Sequence, residues 1–388
     1  MTAGPPLPRY GSASLSDLLP SVAAVLGVPG YDNVLGLPSA GRICLLLVDG
    51  LGWNLLRRAT EDAPLLGSLA EHASPITAGF PSTTATSLAS IGTGLPPGSH
   101  GLLGYQVCIP TTRHLMNHLR WSKDVDPLSW QPNPTVFERA ESHGVPAYHV
   151  SAGAFRDSGL TVAALRGARY VPAETAGDVV AGVEDAAGRD PCSLIYAYYA
   201  DVDKTGHIRG CGSRAWHHQL AITDRVVERI AGVLDQDDLL VITGDHGMVD
   251  APFDRRYDVD SLPALRDGVA LLGGEPRARH VYTAAGADDD VLATWHEVLG
   301  ADAWVVTRDQ AIGEGWFGPV VPDGLRARIG DVVAAVATDT AIVATKAEAN
   351  ESALLGHHGS LTDDELQVPL LLARGGRAVT PDFVTPPG

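Results

Sequence analysis

Three carboxylates, several imidazoles and a run of hydroxyls stand at turns scattered along the 388 residues. They are Asp49, Ser82-Thr83-Thr84, Asp203 with His207, Asp245 with His246, and His357-His358. Carboxylate and imidazole together suit Zn²⁺, Mn²⁺ or Fe²⁺, whereas Ca²⁺ wants oxygen alone. A hydroxyl at a strand-to-helix turn faces the positive end of the following helix, where free N–H groups favour an anion. Such a hydroxyl is placed to attack a phosphate. Singly, each signal has an ordinary reading: Ser and Thr cap helices, and Asp closes turns. Asp245-His246 is harder to dismiss, because a charged pair directly after an apolar strand is costly without partners. On spacing alone, Asp201 competes with Asp203.

These residues need elements that bring them together. Residues 42–48 form a continuous apolar run bounded by a turn, the pattern of a buried parallel strand. Asp49 stands at its C-terminal end, where open α/β sheets bind ligands. Residues 193–199 and 238–243 read as further buried strands, each followed by one of the Asp/His motifs. Residues 74–78 read as a strand end before the hydroxyl run, and 85–91 as the helix after it. Helices are also expected over 15–26, 54–72, 136–142, 176–187 and 213–234. Further strands are expected at 146–150, 331–337, 340–344 and 367–373. The β-α alternation argues an α/β chain, a three-layer α/β/α sandwich with a mostly parallel central sheet.

From 250 to 326 the character changes. Strands at 278–283 and 303–307, with a helix at 288–299 between them, form a βαβ-like unit. The expected division is an N-terminal arm (1–40), a core (41–250), a small inserted α+β cap over the site (251–325), and a returning core (326–388). The last part ends in a Pro-rich tail expected to fray from Thr380. Arg277, Arg279 and His280 in the cap either meet a phosphate or sugar or lie on a solvated face.

A formal net charge of −18 argues against a nucleic-acid polymer or an anionic membrane as partner, since both need basic surface. No apolar run nears the roughly 18 residues that span a bilayer. The first residues show no charged-then-apolar leader, and the four cysteines have no CxxC spacing, so a cytoplasmic chain with reduced thiols is expected.

In their chain order the motifs resemble the type I phosphodiesterase/nucleotide pyrophosphatase family, a branch of the alkaline phosphatase superfamily. The likeness is carried by Val48-Asp49-Gly50, Phe80-Pro81-Ser82-Thr83-Thr84, Thr93-Gly94 with Ser99-His100-Gly101, Asp203-Lys204-Thr205-Gly206-His207, Gly244-Asp245-His246-Gly247 and Gly356-His357-His358-Gly359. The resemblance implies Thr84 as nucleophile and two divalent metal ions, Zn²⁺ first, with Mn²⁺ or Fe²⁺ as alternatives. One ion would be held by Asp49, Thr84, Asp245 and His246, the other by Asp203, His207 and His358. Asp201 and His357 become neighbours rather than ligands. The implied substrate is a small phosphate ester or anhydride, cleaved through a phospho-threonine.

The chain also departs from the family. Relatives place Asn three residues after the nucleophile and a second Asn further on; here those positions hold Ser87 and Tyr105. Tyr105 is therefore a candidate substrate contact, through its hydroxyl, or else a packed aromatic. The aromatic pair with which relatives stack a base is not evident in the motifs. These departures bear on nucleotide specificity more than on phosphoester cleavage. A phosphonate C–P hydrolase or a phosphomonoesterase would use the same core. A phosphomutase would normally use Ser and a larger insert, and a sulfatase needs a Cys/Ser-x-Pro-x-Arg run that the nucleophile turn lacks. A non-catalytic metal-binding protein is the reading from a different class.

Overall fold

Ile43, Leu45 and Leu47 belong to one buried cluster of the strand Arg42–Val48, and Cys44, Leu46 and Val48 to another. A strand apolar on both faces must lie inside a sheet covered on both sides. In the computed structural model, which describes residues 4–376, that sheet is built in the expected way. In chain order the strands are β1 (Arg42–Val48), β2 (Ala147–Ser151), β3 (Arg169–Pro172), β4 (Ser193–Tyr199), β5 (Leu239–Thr243), β6 (Val269–Glu275), β7 (Ala278–Thr283), β8 (Ala303–Thr307), β9 (Val332–Val336) and β10 (Leu371–Arg374). The main sheet runs β10-β5-β1-β4-β2-β3, parallel except for β10, which is antiparallel to β5. The helices Ala176–Ala187 and Arg214–Val233 cover one face. Leu18–Val25, Thr84–Thr93 and Val136–Ser142 cover the other. This is an α/β/α sandwich with a mostly parallel sheet.

Several details differ from expectation. The segment expected as an N-terminal arm is core: Leu15, Leu18, Leu19 and Val22 are fully buried. The helix expected over 54–72 is two helices, Trp53–Arg58 and Pro64–Ala70. Pro64 has no N–H to continue the first and is at home in the first turn of the second. Ile76–Thr77 pairs with Gln367–Val368, outside the main sheet. The tail from Thr380 lies outside the described residues.

The larger difference concerns residues 332–336. An apolar run there reads as a return to the core, yet β9 lies between β7 and β8 in a four-stranded antiparallel sheet, β6-β7-β9-β8. The expected βαβ-like unit is thus split by a third strand, and the second sheet runs past the expected division at residue 325. The helix Asp288–Leu299 packs on one face. Ala278, Val306, Val333 and Ala335 join the main core together with Phe80.

The basic residues of this region are structural. Arg277 is fully buried and bonds Glu365 through two nitrogens, at 3.0 and 2.6 Å. Arg279, also fully buried, bonds Glu348 at 3.1 and 2.7 Å. His280 donates from Nε2 to the Leu103 carbonyl at 2.7 Å and accepts from the Gly330 N–H. None of the three lies on a solvated face, and their polar atoms are taken up in joining the second sheet to its surroundings.

Candidate active site

β5, β1 and β4 are adjacent, so their C-terminal ends lie side by side. Asp245 follows β5 by two residues, Asp49 directly follows β1, and Asp203 lies in the first turn of the helix Asp201–Arg209 that follows β4. The backbone ties them: Asp49 N–H donates to the Tyr199 carbonyl at 2.9 Å, and Asp203 N–H to the Asp49 carbonyl at 3.0 Å. Asp245 Oδ1 accepts from the N–H groups of Gly50 and His246, at 3.0 and 3.1 Å. The flanking glycines permit this approach. A Cβ on Gly244 would lie 2.3 Å from the Leu51 carbonyl oxygen, and one on Gly247 1.9 Å from that of Asp364.

Two groups of side chains that could hold a metal ion result. Asp49, Asp245 and His246 form one, fully buried; Asp203, His207 and His358 form the other, half-buried. Within each group the donor atoms lie within 4.8 Å of one another. The His246 and His358 rings stack with centroids 3.6 Å apart, so the two groups abut. Asp201 and His357 belong to neither, and His357 bonds the Leu354 carbonyl instead.

The protons on these imidazoles can be placed. Nδ1 of His246, His207 and His358 faces the backbone carbonyls of Gly247, Gly356 and Ser82, at 3.0, 2.8 and 3.1 Å. A carbonyl can only accept, so each Nδ1 carries the hydrogen, and in the neutral ring that a metal ligand requires Nε2 holds the lone pair. Those lone pairs point at carboxylates. His246 Nε2 is 3.4 Å from both Asp49 and Asp245, and His207 Nε2 is 3.3 Å from Asp203. Asp49 Oδ1, Asp203 Oδ1 and Asp245 Oδ2 are buried without a hydrogen-bond donor among the described residues. Burial, then the charges of Asp245 and Asp203, push the Asp49 carboxyl well above its ordinary range, and burial likewise raises Asp203. Acceptors facing acceptors in a dry site are unfavourable until a cation lies between them. The donor set fits two divalent ions.

The three hydroxyls separate. Ser82 Oγ donates to the Ser360 carbonyl at 2.6 Å and is buried. Thr83 occupies the N-cap position of the helix Thr84–Thr93 without a capping bond from its side chain, and sits beside Glu275. Thr84 is the first residue of that helix, and its Oγ1 lies 3.3 Å from His246 Nε2. Ser87, at the relatives' Asn position, points elsewhere: its hydroxyl holds the Asp245 carbonyl at 2.6 Å.

The type I phosphodiesterase / nucleotide pyrophosphatase family model matches residues 43–361. The chain belongs to this family. No curated protein shows detectable sequence similarity to it. Solved structures share its fold. One is murine ectonucleotide pyrophosphatase/phosphodiesterase 5, as an inactive Thr-to-Ala form in complex with AMP, at 18% identity and TM-score 0.68 over 87% of this chain and 88% of that one. Another is phosphonoacetate hydrolase from Sinorhizobium meliloti 1021 in complex with phosphonoformate, at 19% identity and TM-score 0.66 over 85% and 89%.

In this family member both groups open into a cavity of about 510 Å³. Its lining includes residues that the motifs did not reveal. Arg120 and Lys204 are exposed cations on its wall. Tyr198 donates its hydroxyl to Asp49 Oδ2, orienting that carboxylate. Glu275, fully buried, has its carboxyl pushed up to about 8, chiefly by burial. Tyr105 also lines the cavity, and its hydroxyl donates to Glu351 at 3.0 Å. Lys204 stood inside a motif already singled out, and strand alternation places Tyr196 and Tyr198 on one face with the site. Glu275 has no comparable signal in its neighbourhood.

Proposed function

We propose that this family member cleaves phosphodiester or pyrophosphate bonds of small molecules through a covalent phospho-threonine on Thr84. One observation carries the reading: Thr84 Oγ1 stands at a helix N-terminus, 3.3 Å from His246 Nε2, beside two carboxylate-imidazole groups. Asp49, Thr84, Asp245 and His246 would hold one divalent ion, and Asp203, His207 and His358 the other. Zn²⁺ comes first, then Mn²⁺ or Fe²⁺; bound there, the ions would lower the pKa of the Thr84 hydroxyl and offset phosphoryl charge.

Thr84 Oγ attacks phosphorus, and the bond to the leaving oxygen breaks on the opposite side. The phosphoryl group then rests on Thr84, where free N–H groups of the helix's first turn face its oxygens. Water displaces Thr84 and restores the hydroxyl. The Nδ1 bonds hold the three imidazoles in one tautomer throughout. Arg120 and Lys204 give an acidic protein a positive approach for an anionic substrate, and Tyr105 is the candidate contact beyond them. That an inactive Thr-to-Ala form of the murine relative holds AMP supports both a catalytic threonine and a nucleotide substrate class.

The likeness to phosphonoacetate hydrolase, at nearly the same TM-score, supports C–P hydrolysis as a second reading. A monoesterase, a mutase or a non-catalytic metal protein has no observation of its own. No helix among the described residues is long and apolar enough to cross a membrane. A cytoplasmic location belongs to the proposal, in keeping with four free cysteines.

The test is metal analysis of purified protein with a panel of nucleotide, dinucleotide, glycerophosphodiester and phosphonate substrates. Two divalent ions per chain and diester turnover are expected. Faster turnover of phosphonoacetate would favour the second reading. Absence of transition metal, with no hydrolysis after Zn²⁺ or Mn²⁺ is added, would sink both.

A further inference from the structure

The cavity does not stop at Thr84. Its lining continues past Leu88, one turn along the same helix, to His149 on β2 and Tyr196 on β4. His149 and Tyr196 are register partners on neighbouring parallel strands, with ring centroids 5.1 Å apart. They are 2% and 0% exposed. Leu88, Leu160 and Leu165 add apolar side chains to this lining, beside Ser151, Ser158 and Thr161.

Two polar atoms in this wall have no hydrogen-bond partner among the described residues, His149 Nδ1 and Tyr196 Oη. Burying such a group without a partner carries a desolvation penalty. Neither is taken up by the metal-ligating groups: the tyrosine that bonds Asp49 is Tyr198, two residues further along β4. A leucine or phenylalanine at either position would line the chamber without that penalty. Burial lowers the His149 imidazole to about 3, so the ring is neutral near pH 7. The pair therefore offers donors and acceptors but no charge. It matches a neutral polar atom and not a second phosphate. The neighbouring walls are aromatic, with Phe155 edge-on to Tyr198 at 6.2 Å, which suits a ring more than a flexible chain.

We propose that His149 and Tyr196 are specificity-determining residues: the inner chamber takes the ester group carried on the phosphoryl, and the pair selects a ring with a neutral hydrogen-bonding atom at its far edge. This rests on the phosphoester-cleaving reading of the site. A buried polar pair discriminates strongly, because the isostere that lacks the matching atom leaves it unpaired.

The test uses p-nitrophenyl phosphodiesters, so that the leaving group stays constant. The second ester group is either benzyl or 4-pyridylmethyl, which differ by one ring nitrogen. At pH 8 the wild type should favour the pyridylmethyl ester by about tenfold or more in kcat/KM. Tyr196→Phe removes one oxygen without changing shape and should cut that preference. His149→Phe with Tyr196→Phe should abolish it. Binding of 4-pyridylmethylphosphonate and benzylphosphonate to the Thr84→Ala protein, followed by calorimetry, should show the same order. Equal kcat/KM or equal binding for the two rings in wild-type or Thr84→Ala protein overturns the inference, as does a preference that survives the double substitution. If no diester is turned over, the phosphoester reading fails and the calorimetric pair alone decides this one.

Discussion

Thr84 differs from its two neighbours by a single contact, and that contact can be tested. Ser82 Oγ is engaged by the Ser360 carbonyl, and Thr83 sits beside Glu275. Thr84→Ala should lower kcat by on the order of 10⁴-fold or more, with circular dichroism unchanged. Ser82→Ala should cost about 1 kcal/mol of stability and much less activity. If Thr83→Ala is the dead variant and Thr84→Ala still turns over, the attacking hydroxyl is Thr83. Tyr198→Phe makes a second expectation at this scale. It frees Asp49 Oδ2, and chelator competition should show metal affinity down by about 10–100-fold. What was legible in the sequence follows from where each residue lies. Asp49 and Asp245-His246 interrupt an apolar-to-glycine transition and so stand out. Tyr196, Tyr198 and His149 lie inside strands whose apolar character hides them, and Glu275 ends a strand that was not expected. The choice of Thr84, and of Asp203 over Asp201, came from the family likeness and not from spacing.

Elements hold these residues by close backbone contact, most tightly around His246. Gly247 N–H donates to the Glu365 carbonyl at 2.8 Å, and a Cβ on Gly247 would meet the Asp364 carbonyl oxygen at 1.9 Å. Gly247→Ala must therefore move the turn that carries His246. A displacement near 1 Å costs about 10²-fold in rate, and kcat of Gly247→Ala should fall by that order while Gly212→Ala, which has open space around it, stays near wild type. Steady-state rates on one diester decide it. The elements were legible unequally for a related reason. β1 and β4 match their apolar runs, and β5 does so within a residue, because strands buried on both faces carry continuous apolar sequence. That same signal says nothing about the sheet in which a strand sits. Val332–Val336 is as apolar as β1 and lies in the second sheet.

At the scale of the whole molecule, the second sheet and the His358 loop are locked by Arg277 and Glu365, both fully buried. Glu365 also accepts from the Ser360 N–H, two residues beyond His358. Removing one partner of a buried pair strands the other charge, so Arg277→Met should cost about 3–5 kcal/mol in urea unfolding. A loss below about 1 kcal/mol would mean that Glu365 is neutral or hydrated in place.

Acid should act on the same core through histidines that hold no metal. His100, His118, His149 and His280 are buried, and burial lowers them to about 3, 4, 3 and 4. An unfolded histidine titrates near 6.5. As pH falls below that value the unfolded chain takes up protons that the folded chain refuses, so stability drops. Glu275 opposes this. Its folded value of about 8 lies above its unfolded value, so the folded chain gains a proton as pH falls through 8 and stability rises there. The two signs together predict a maximum near pH 7. Below about 6.5 these four histidines, less Glu275, make unfolding bind a net three or so protons, and buried His357, held well below its ordinary value by burial, adds one more, which corresponds to a fall of about 4–5 kcal/mol per pH unit. Against a stability of about 5–10 kcal/mol, the lower part of the typical range, the fold should be lost between about pH 4 and 5.5. An acid titration followed by circular dichroism, with metal in excess so that the ligand set does not titrate, measures this. A fold intact at pH 3.5 would mean that these imidazoles accept protons within the core.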